Sequence, residues 1–348
     1  MCATIKGMGF THFQATRHSR ASGTLTYQDS TPACARMTGQ IVTTDVEQNI
    51  MTTCEARPYP RTLSRERRST SHTRLSQAFE AAIRIPFDDR ASLVLFSDSH
   101  RGDKGKLDAF APNKELFLGA LRHYYQKGFT YVEVGDGDEL WKGWQFDDIQ
   151  RAYGDVFELL HRFERQGRLQ LLIGNHEALT GGDYQVDKGG LPAGEAIVLE
   201  RSRTRQRIFV VHGHQADLQN DARRRWSRLV VRHLWTPLQS MGLAGLGGPA
   251  HPVAYHAKDA ISMRVHAWAA ANHQMIICGH THRPAFATPG ATPYFNTGAC
   301  LFPGQITGIE IVHGRIQLVR WEAGSVHPAR SAQPQRRALT PSVPLDSY

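Results

Sequence analysis

The feature that most constrains this chain is a series of five short polar strings, each directly after an apolar, strand-like run. The strings combine carboxylate, imidazole and amide side chains, which are the ligands that divalent transition metals prefer. Together they indicate metal-assisted hydrolysis, and a phosphate ester is the most direct substrate class. The strings are Asp98-Ser99-His100, Gly135-Asp136-Gly137-Asp138-Glu139, Gly174-Asn175-His176-Glu177, His212-Gly213-His214 and Gly279-His280-Thr281-His282.

The intervals between the strings predict an alternating α/β architecture. Asp98 and Asp136 are 38 residues apart, Asp136 and Asn175 are 39 apart, and Asn175 and His212 are 37 apart. Each interval fits one strand–helix–strand unit, which needs about 30 residues or more. Because the carboxyl ends of parallel strands meet at one edge of a sheet, we expect these side chains to lie close together.

Periodicity along the chain supports this alternation. Apolar spacing predicts helices over 114–127 and 149–165, and a long interval before the last string predicts a helical cap over about 217–272. Strand–helix alternation early in the chain and β-rich sequence late in the chain favour an α/β sandwich with mixed sheets. The predicted strands cover 92–97, 129–134, 169–173, 207–211, 275–278, 293–297, 306–312 and 315–321, the last two joined by a tight turn at His313-Gly314.

Composition sets the domain limits. Residues 1–75 are polar without sustained periodicity, so we expect a disordered extension, with a start at Met51 as an alternative. The domain then covers 76–322, and residues 323–348, rich in Pro, Ser, Arg and Ala, are expected to form a flexible tail. Five scattered cysteines, no signal-peptide core and no long apolar run favour a cytoplasmic protein.

The net charge of +9 is concentrated in two arginine clusters, at 57–74 and 223–232. The first cluster contains a single Phe, Tyr or Trp residue, Tyr59, and no interleaved aromatic pattern, so we expect no nucleic-acid partner. The second cluster places Arg224 and Arg228 on one stripe of a predicted helix. This stripe is either a solvated face of the cap or a contact for an acidic substrate or an anionic membrane surface.

Spacing within the strings suggests how two metals would be shared. Asp136 follows a strand directly and is the natural carboxylate to bridge both ions. Asp98 and His100 are two residues apart on a strand end, so they point the same way and can reach one metal. His280 and His282 have the same spacing and could divide between the two metals.

The remaining candidates lie beside these residues. Asn175 offers a neutral amide oxygen and His212 offers another imidazole, while His176 could act as a general acid or stabilise the transition state. Arg101 could bind a phosphate oxygen or be an ordinary surface arginine. His214 is a further candidate for substrate contact, and the neighbouring Asp138 is either a partner of a ligand histidine or a loop acid.

In order and composition, the five strings resemble the motifs of the calcineurin-like metallophosphoesterase superfamily, over about residues 91–321. The resemblance implies a four-layer α/β/β/α sandwich with a helical cap insertion and a dinuclear centre of Mn, Fe, Zn or similar metals. It implies in-line attack on phosphorus by a metal-bridging hydroxide, with Asp136 as the bridge and His176 as the catalytic histidine. The implied ligands are Asp98, His100 and His282 for the first metal and Asn175, His212 and His280 for the second.

The string at 279–285, Gly-His-Thr-His-Arg-Pro-Ala, resembles most the branch that contains UDP-2,3-diacylglucosamine hydrolases. The chain departs from that branch at His176, where an arginine is typical, and at His214, where an aspartate is typical. We therefore expect a general phosphoesterase acting on a phosphorylated small molecule or phosphoprotein. The alternatives are a lipid pyrophosphatase at the membrane surface and, with less support, a non-catalytic scaffold or a nuclease.

Overall fold

The computed structural model describes residues 65–177, 188–217, 252–324 and 333–348. These residues form a mixed α/β structure with helices and two mixed sheets, which confirms the predicted α/β class. Most of the predicted extension and most of the predicted cap, including Arg224 and Arg228, lie outside the described residues. None of the helices in the described ranges combines the length and apolarity needed to span a bilayer.

The helices and strands follow the apolar periodicity of the sequence. The helices are α1 (Arg65–Ala81), α2 (Lys114–Gln126), α3 (Phe146–Ala152), α4 (Gly154–Glu164) and α5 (Pro252–Asn272). The strands are β1 (Ile83–Phe87), β2 (Ser92–Phe96), β3 (Thr130–Val134), β4 (Leu169–Leu172), β5 (Ala193–Gly194), β6 (Ala196–Arg201), β7 (Arg207–Val211), β8 (Met275–Cys278), β9 (Tyr294–Asn296), β10 (Gln305–Val312), β11 (Arg315–Glu322), β12 (Gln335–Ala338) and β13 (Val343–Pro344).

The strands form two sheets. The smaller sheet has the order β1-β6-β7-β8-β9, in which only the β6–β7 pair is antiparallel. The larger has the order β12-β11-β10-β2-β3-β4-β5, with β13 paired to β11, and its β2 to β5 portion is parallel. The strands that precede the five polar strings are therefore β2, β3 and β4 in the larger sheet and β7 and β8 in the smaller one.

Strand alternation distributes the apolar side chains among three clusters. In β2, Leu93 and Leu95 belong to a cluster shared by both sheets, whereas Val94 and Phe96 belong to one shared with α2 and α4. A third cluster joins the smaller sheet to α1 and α5, where Trp268 is almost fully buried. Each sheet thus buries apolar side chains against the other sheet and against its own pair of helices.

Three features of the fold differ from the sequence-based predictions. The predicted extension was set to end at residue 75, but α1 begins at Arg65 and buries Leu75. The predicted helix over 149–165 is two helices, because Tyr153 leaves helical geometry at φ −115° and ψ 35°. The sequence analysis also missed the strands β1, β5 and β6, and β12 and β13 in the predicted tail.

The prediction of a flexible tail is wrong for residues 335–348. The strand β12 pairs with β11, and β13 adds a second short pairing to the same strand. Leu345 is fully buried in the cluster between the sheets, and the Tyr348 hydroxyl donates to the Ala287 carbonyl at 2.6 Å. The polar composition of the segment hid this order, because a strand at the edge of a sheet needs only a few buried side chains.

Candidate metal centre

The loops after β2 and β3 are joined by backbone hydrogen bonds that continue the parallel ladder beyond the strands. Asp98 N–H donates to the Gly135 carbonyl at 3.1 Å, and His100 N–H donates to the Asp136 carbonyl at 2.9 Å. One residue further along, the Glu139 N–H donates to the Arg101 carbonyl at 3.0 Å. These bonds fix the first two polar strings side by side at the edge of the sheet.

The first group of potential metal ligands is Asp98, His100 and His282. Their ligand atoms all lie within 4.8 Å of one another. His282 Nε2 is 3.1 Å from Asp98 Oδ1 and 3.4 Å from His100 Nε2. The other oxygen of Asp98 accepts the His280 N–H at 3.0 Å, which leaves Oδ1 directed at the two imidazoles.

The second group is Asp136, His212 and His280, whose ligand atoms also lie within 4.8 Å of one another. His212 Nδ1 lies 2.8 Å from the Val134 carbonyl, which fixes the proton on Nδ1 and turns the Nε2 lone pair inward. His212 Nε2 is 3.1 Å from Asp136 Oδ2. The sequence predicts these three residues as neighbours, and the structure brings them together.

A single oxygen of Asp136 lies between the two groups. Its Oδ2 is 3.1 Å from His212 Nε2 in the second group and 3.7 Å from His100 Nε2 in the first. Its Oδ1 accepts the His176 N–H at 2.8 Å, so the carboxylate cannot turn freely. A carboxylate oxygen in this position could contact two ions at once.

Several buried polar atoms at the centre make no hydrogen bond of ordinary geometry. Among the described residues these include Asp98 Oδ1, Asn175 Oδ1 and His212 Nε2. Two of them still face an ionisable neighbour, since His282 Nε2 lies 3.1 Å from Asp98 Oδ1 and Asp136 Oδ2 lies 3.1 Å from His212 Nε2. Because all three are atoms that ligate divalent metals, the donor set fits a pair of metal ions better than it fits a closed polar core.

Five of the potential ligands have left-handed backbone conformations. Such conformations are uncommon for residues with a Cβ and cost of order 1–3 kcal/mol each, so they persist only where surrounding structure imposes them. The close approach of the next loop adds to this constraint, since a Cβ on Gly174 would lie 2.0 Å from Asp136 Oδ1. The φ values are 53° for Asp98, 48° for His100, 51° for Asp136, 66° for His280 and 57° for His282.

Burial and carboxylates act in opposite directions on the imidazoles. Burial lowers the pKa of His100, but Asp98 and Glu139 more than offset this and raise the pKa to about 10. Burial likewise lowers the pKa of His212, and Asp136 raises it to about 9. The carboxylates thus favour a positive charge at both imidazoles, which is the charge that a bound metal would supply.

His176 lies at the edge of this centre and is held on three sides. Its Nδ1 is 2.8 Å from Glu139 Oε1, and its ring stacks on Trp141 with centroids 4.3 Å apart. Its ring also meets that of His100 edge to face at 4.4 Å. The His176 side chain is 23% exposed, more than the ligands around it, so its ring can reach a bound substrate.

Glu139 contacts two imidazoles with its two oxygens. Oε1 faces His176 Nδ1 and also accepts the Trp141 N–H at 3.0 Å, while Oε2 is 3.3 Å from His100 Nδ1. Burial raises the pKa of Glu139, but the His176 and His100 rings hold it well below its usual value. Glu139 therefore orients a potential ligand and the exposed histidine together. The sequence-based assignment gave it no role.

The structure does not support a substrate contact by Arg101. Its side chain is fully buried, and both terminal nitrogens donate to Glu133, at 2.7 and 2.8 Å. Its Nε donates to Asp138 Oδ1 at 2.8 Å. The prediction of a phosphate-binding Arg101 is therefore wrong, because Glu133 and Asp138 occupy the guanidinium. Asp138 contacts Arg101 and Lys188, so its suggested role as a partner of a ligand histidine is also not observed.

His214 lies close to the second group. Its ring centroid is 5.5 Å from that of His212 and 6.5 Å from that of His280. It is buried at 7% exposure, at the start of a short 3-10 helix, His214–Ala216. This position is compatible with the predicted contact to substrate, which stays a prediction.

Comparisons with known proteins give only distant matches. No protein-family model and no curated protein matches the chain. A cold-active protein-tyrosine phosphatase of a psychrophile, Shewanella sp., matches with 16% identity, 82% of this chain and 89% of that chain covered, and a TM-score of 0.37. A mutant of a cold-active protein tyrosine phosphatase matches with 15% identity, the same coverage and a TM-score of 0.37. A further structure of a cold-active protein tyrosine phosphatase matches with 15% identity, 81% and 87% covered, and a TM-score of 0.33.

Proposed function

We propose that the chain is a metal-dependent phosphoesterase with a dinuclear centre, of the calcineurin-like type. The observation that carries the proposal is the position of Asp136 Oδ2, within 3.1 Å of His212 Nε2 and 3.7 Å of His100 Nε2. One carboxylate oxygen that lies between an imidazole of each group is suited to contact two neighbouring divalent ions. The three hydrophobic clusters support a four-layer α/β/β/α sandwich as the scaffold.

Seven side chains would hold the ions. Asp98, His100 and His282 would hold the first, Asn175, His212 and His280 the second, and Asp136 would bridge them. When bound, such ions act as Lewis acids on the phosphoryl oxygens and lower the pKa of water, and Mn, Fe and Zn all suit this mixture of ligands. The hydrogen bonds to the Val134 carbonyl and from the His280 N–H direct the ligand atoms inward before any metal binds.

His176 would then act on the substrate. Its Nδ1 faces the Glu139 carboxylate at 2.8 Å, which places the Nδ1 proton toward Glu139 and directs Nε2 toward the substrate. In the charged ring, Nε2 carries a proton that can be given to the oxygen of the leaving alcohol. The stacked Trp141 ring excludes water from one face of the imidazole and holds its orientation. The substrate would be a phosphorylated small molecule or a phosphoprotein.

The test uses purified full-length chain with p-nitrophenyl phosphate and bis-p-nitrophenyl phosphate in the presence of Mn²⁺. We expect turnover of at least one substrate that a chelator abolishes and that Mn²⁺ restores. Asp136→Asn should lose at least 100-fold in kcat/KM. The control is Asp346→Asn, which removes a surface carboxylate that pairs with Arg201 and should leave turnover unchanged. Turnover that survives Asp136→Asn, or no turnover of either substrate, would refute the proposal.

Contact with an anionic membrane stays a prediction, because the basic segment predicted to make it lies outside the described residues. A flotation assay with vesicles of anionic lipid at low salt tests it directly. Charge-reversal variants Arg224→Glu and Arg228→Glu should abolish any binding if this helix is the contact. Binding that is unchanged in both variants would contradict the assignment.

A further inference from the structure

A second group of buried charges lies behind the candidate centre, and the proposed reaction does not use it. The carboxylates of Glu133, Asp138 and Glu177 are buried and close enough to one another that they could themselves hold a cation. The Lys188 ammonium lies among them instead. Its Nζ is 3.1 Å from Asp138 Oδ2 and 3.3 Å from Glu133 Oε1, and it donates a hydrogen bond to Glu177 Oε1.

This group connects to the centre through the backbone. The Glu177 carboxylate accepts three backbone N–H groups, from Gly174 at 2.9 Å, Asp136 at 3.2 Å and Asp138 at 3.0 Å. One side chain therefore ties the loop that carries the bridging Asp136 to the loop that carries Asn175. The same carboxylate accepts a hydrogen bond from Lys188, whose side chain is 1% exposed.

The balance of charge makes Lys188 necessary to this arrangement. Three carboxylates in the group face two cations, Arg101 and Lys188, so the group is already negative by one charge. Arg101 is committed to Glu133 and Asp138 and makes no contact with Glu177. Removing Lys188 would leave Glu177 beside two other buried carboxylates without a cation, and a buried charge without a partner is strongly unfavourable.

We propose that Lys188 is a positioning residue for the metal centre. Its ammonium lies among three carboxylates, where a metal ion could otherwise bind, and it thereby holds Glu177 against the two loops that carry Asp136 and Asn175. The inference rests on the proposed function, since it concerns the same centre. A residue that acts in this way affects metal affinity without touching metal or substrate, and comparable outer partners change metal affinity or activity by about 10–100-fold.

The test measures Mn²⁺ binding to the full chain by equilibrium dialysis, separately from catalysis. Lys188→Met removes the charge and keeps most of the side-chain length, and we expect its Mn²⁺ affinity to fall by about 10–100-fold at one or both sites. The matched control is Lys114→Met, which removes a lysine that also pairs with two carboxylates, Glu115 and Asp155, on α2 and α4. That variant should bind Mn²⁺ within twofold of the wild type.

The outcomes separate the two proposals. Wild-type protein that binds no Mn²⁺ would refute the dinuclear centre itself. Wild-type protein that binds two Mn²⁺ ions while Lys188→Met binds them equally well would overturn only the role of Lys188. If Lys188→Met does not fold, Lys188→Arg keeps the positive charge that the proposal invokes, and we expect it to fold and to bind Mn²⁺ within about threefold of the wild type. A folded Lys188→Arg variant with Mn²⁺ affinity at least tenfold weaker than the wild type would overturn the proposal.

Discussion

Glu139→Gln is the substitution that most sharply tests how the two histidines at the centre are held. The change keeps the size of the side chain and one acceptor oxygen, but it removes the negative charge. Oε1 can still accept from the His176 Nδ1–H and the Trp141 N–H. The new amide NH₂ would take the place of Oε2 and face His100 Nδ1 at 3.3 Å. Because His100 Nδ1 carries a proton when Nε2 ligates a metal, a donor would then face a donor.

The magnitude follows from these two contacts. A hydrogen bond to a charged partner contributes about 1.5–3 kcal/mol and a neutral one about 0.5–1.5 kcal/mol. The His176 contact should therefore lose about 1 kcal/mol, and the 3.3 Å approach to His100 Nδ1, which is not a hydrogen bond of ordinary geometry, should lose less than a charged hydrogen bond does. The combined loss of about 1.5–3 kcal/mol corresponds to roughly a 10–100-fold decrease in kcat/KM, at 1.36 kcal/mol for each factor of ten.

The assay is Mn²⁺-dependent hydrolysis of p-nitrophenyl phosphate, together with Mn²⁺ affinity measured by equilibrium dialysis. A double-mutant cycle with His176→Ala divides the effect, since the share that acts through His176 disappears in the double variant and the share that acts through His100 persists as weaker Mn²⁺ binding. Glu310→Gln is the control, because it neutralises a buried carboxylate that contacts Tyr124 and Arg336 and no potential ligand. Values of kcat/KM and Mn²⁺ affinity within twofold of the wild type in Glu139→Gln would refute the reasoning.

Three further predictions follow from the site and the fold. Trp141→Ala should lower kcat by about tenfold with little change in Mn²⁺ affinity, because it removes the ring that stacks on His176 and leaves the potential metal ligands unchanged. An equal loss of Mn²⁺ affinity in dialysis would contradict this prediction. Mn²⁺ binding should release protons, and Mn²⁺ affinity should increase as the pH rises to about 9–10. The reason is that the raised pKa values of His100 and His212 leave both rings protonated at neutral pH without metal. Calorimetry in buffers of different ionisation enthalpy measures the proton release, and an Mn²⁺ affinity independent of pH would refute the prediction. Deleting 333–348 should lower the free energy of unfolding by at least the roughly 1.5–3 kcal/mol that burying Leu345 contributes; an unchanged urea midpoint would show that this segment adds nothing.

The proximity of the five strings was predictable because a single physical rule governs it. Residues directly after parallel strands collect at the carboxyl edge of a sheet, and an apolar run marks each strand in the sequence. Asp98 and Asp136 follow adjacent strands of the larger sheet, while His212 and His280 follow adjacent strands of the smaller one. The sequence could not show which sheet each strand joins, because strand pairing depends on contacts far apart along the chain.

The buried charges behind the centre were not predictable in the same way. Glu133 lies inside an apolar strand, and Lys188 is an isolated lysine in a segment without periodicity. Arg101 directly follows the first polar string and was interpreted as a phosphate contact or a surface arginine. Asp138 belongs to the second string and was interpreted as a partner of a ligand histidine or a loop acid. A signal existed in Glu133 alone, since a carboxylate within a buried strand must have a cation near it. The sequence does not say which cation.

The left-handed backbone at Asp98, His100 and Asp136 explains why the centre depends on the whole fold. A local sequence preference would place glycine at such positions, and aspartate and histidine, although they are enriched there among the other residues, adopt this φ at a cost. The conformations are instead imposed by the hydrogen bonds that join the loops after β2 and β3, and by the Glu177 carboxylate that joins the loops after β3 and β4. The strained backbone and the arrangement of the potential ligand atoms therefore have a common cause, because the same hydrogen bonds between the loops impose both. The same cause makes Lys188 more than a structural lysine, since it is the cation that lets Glu177 hold this strained arrangement together.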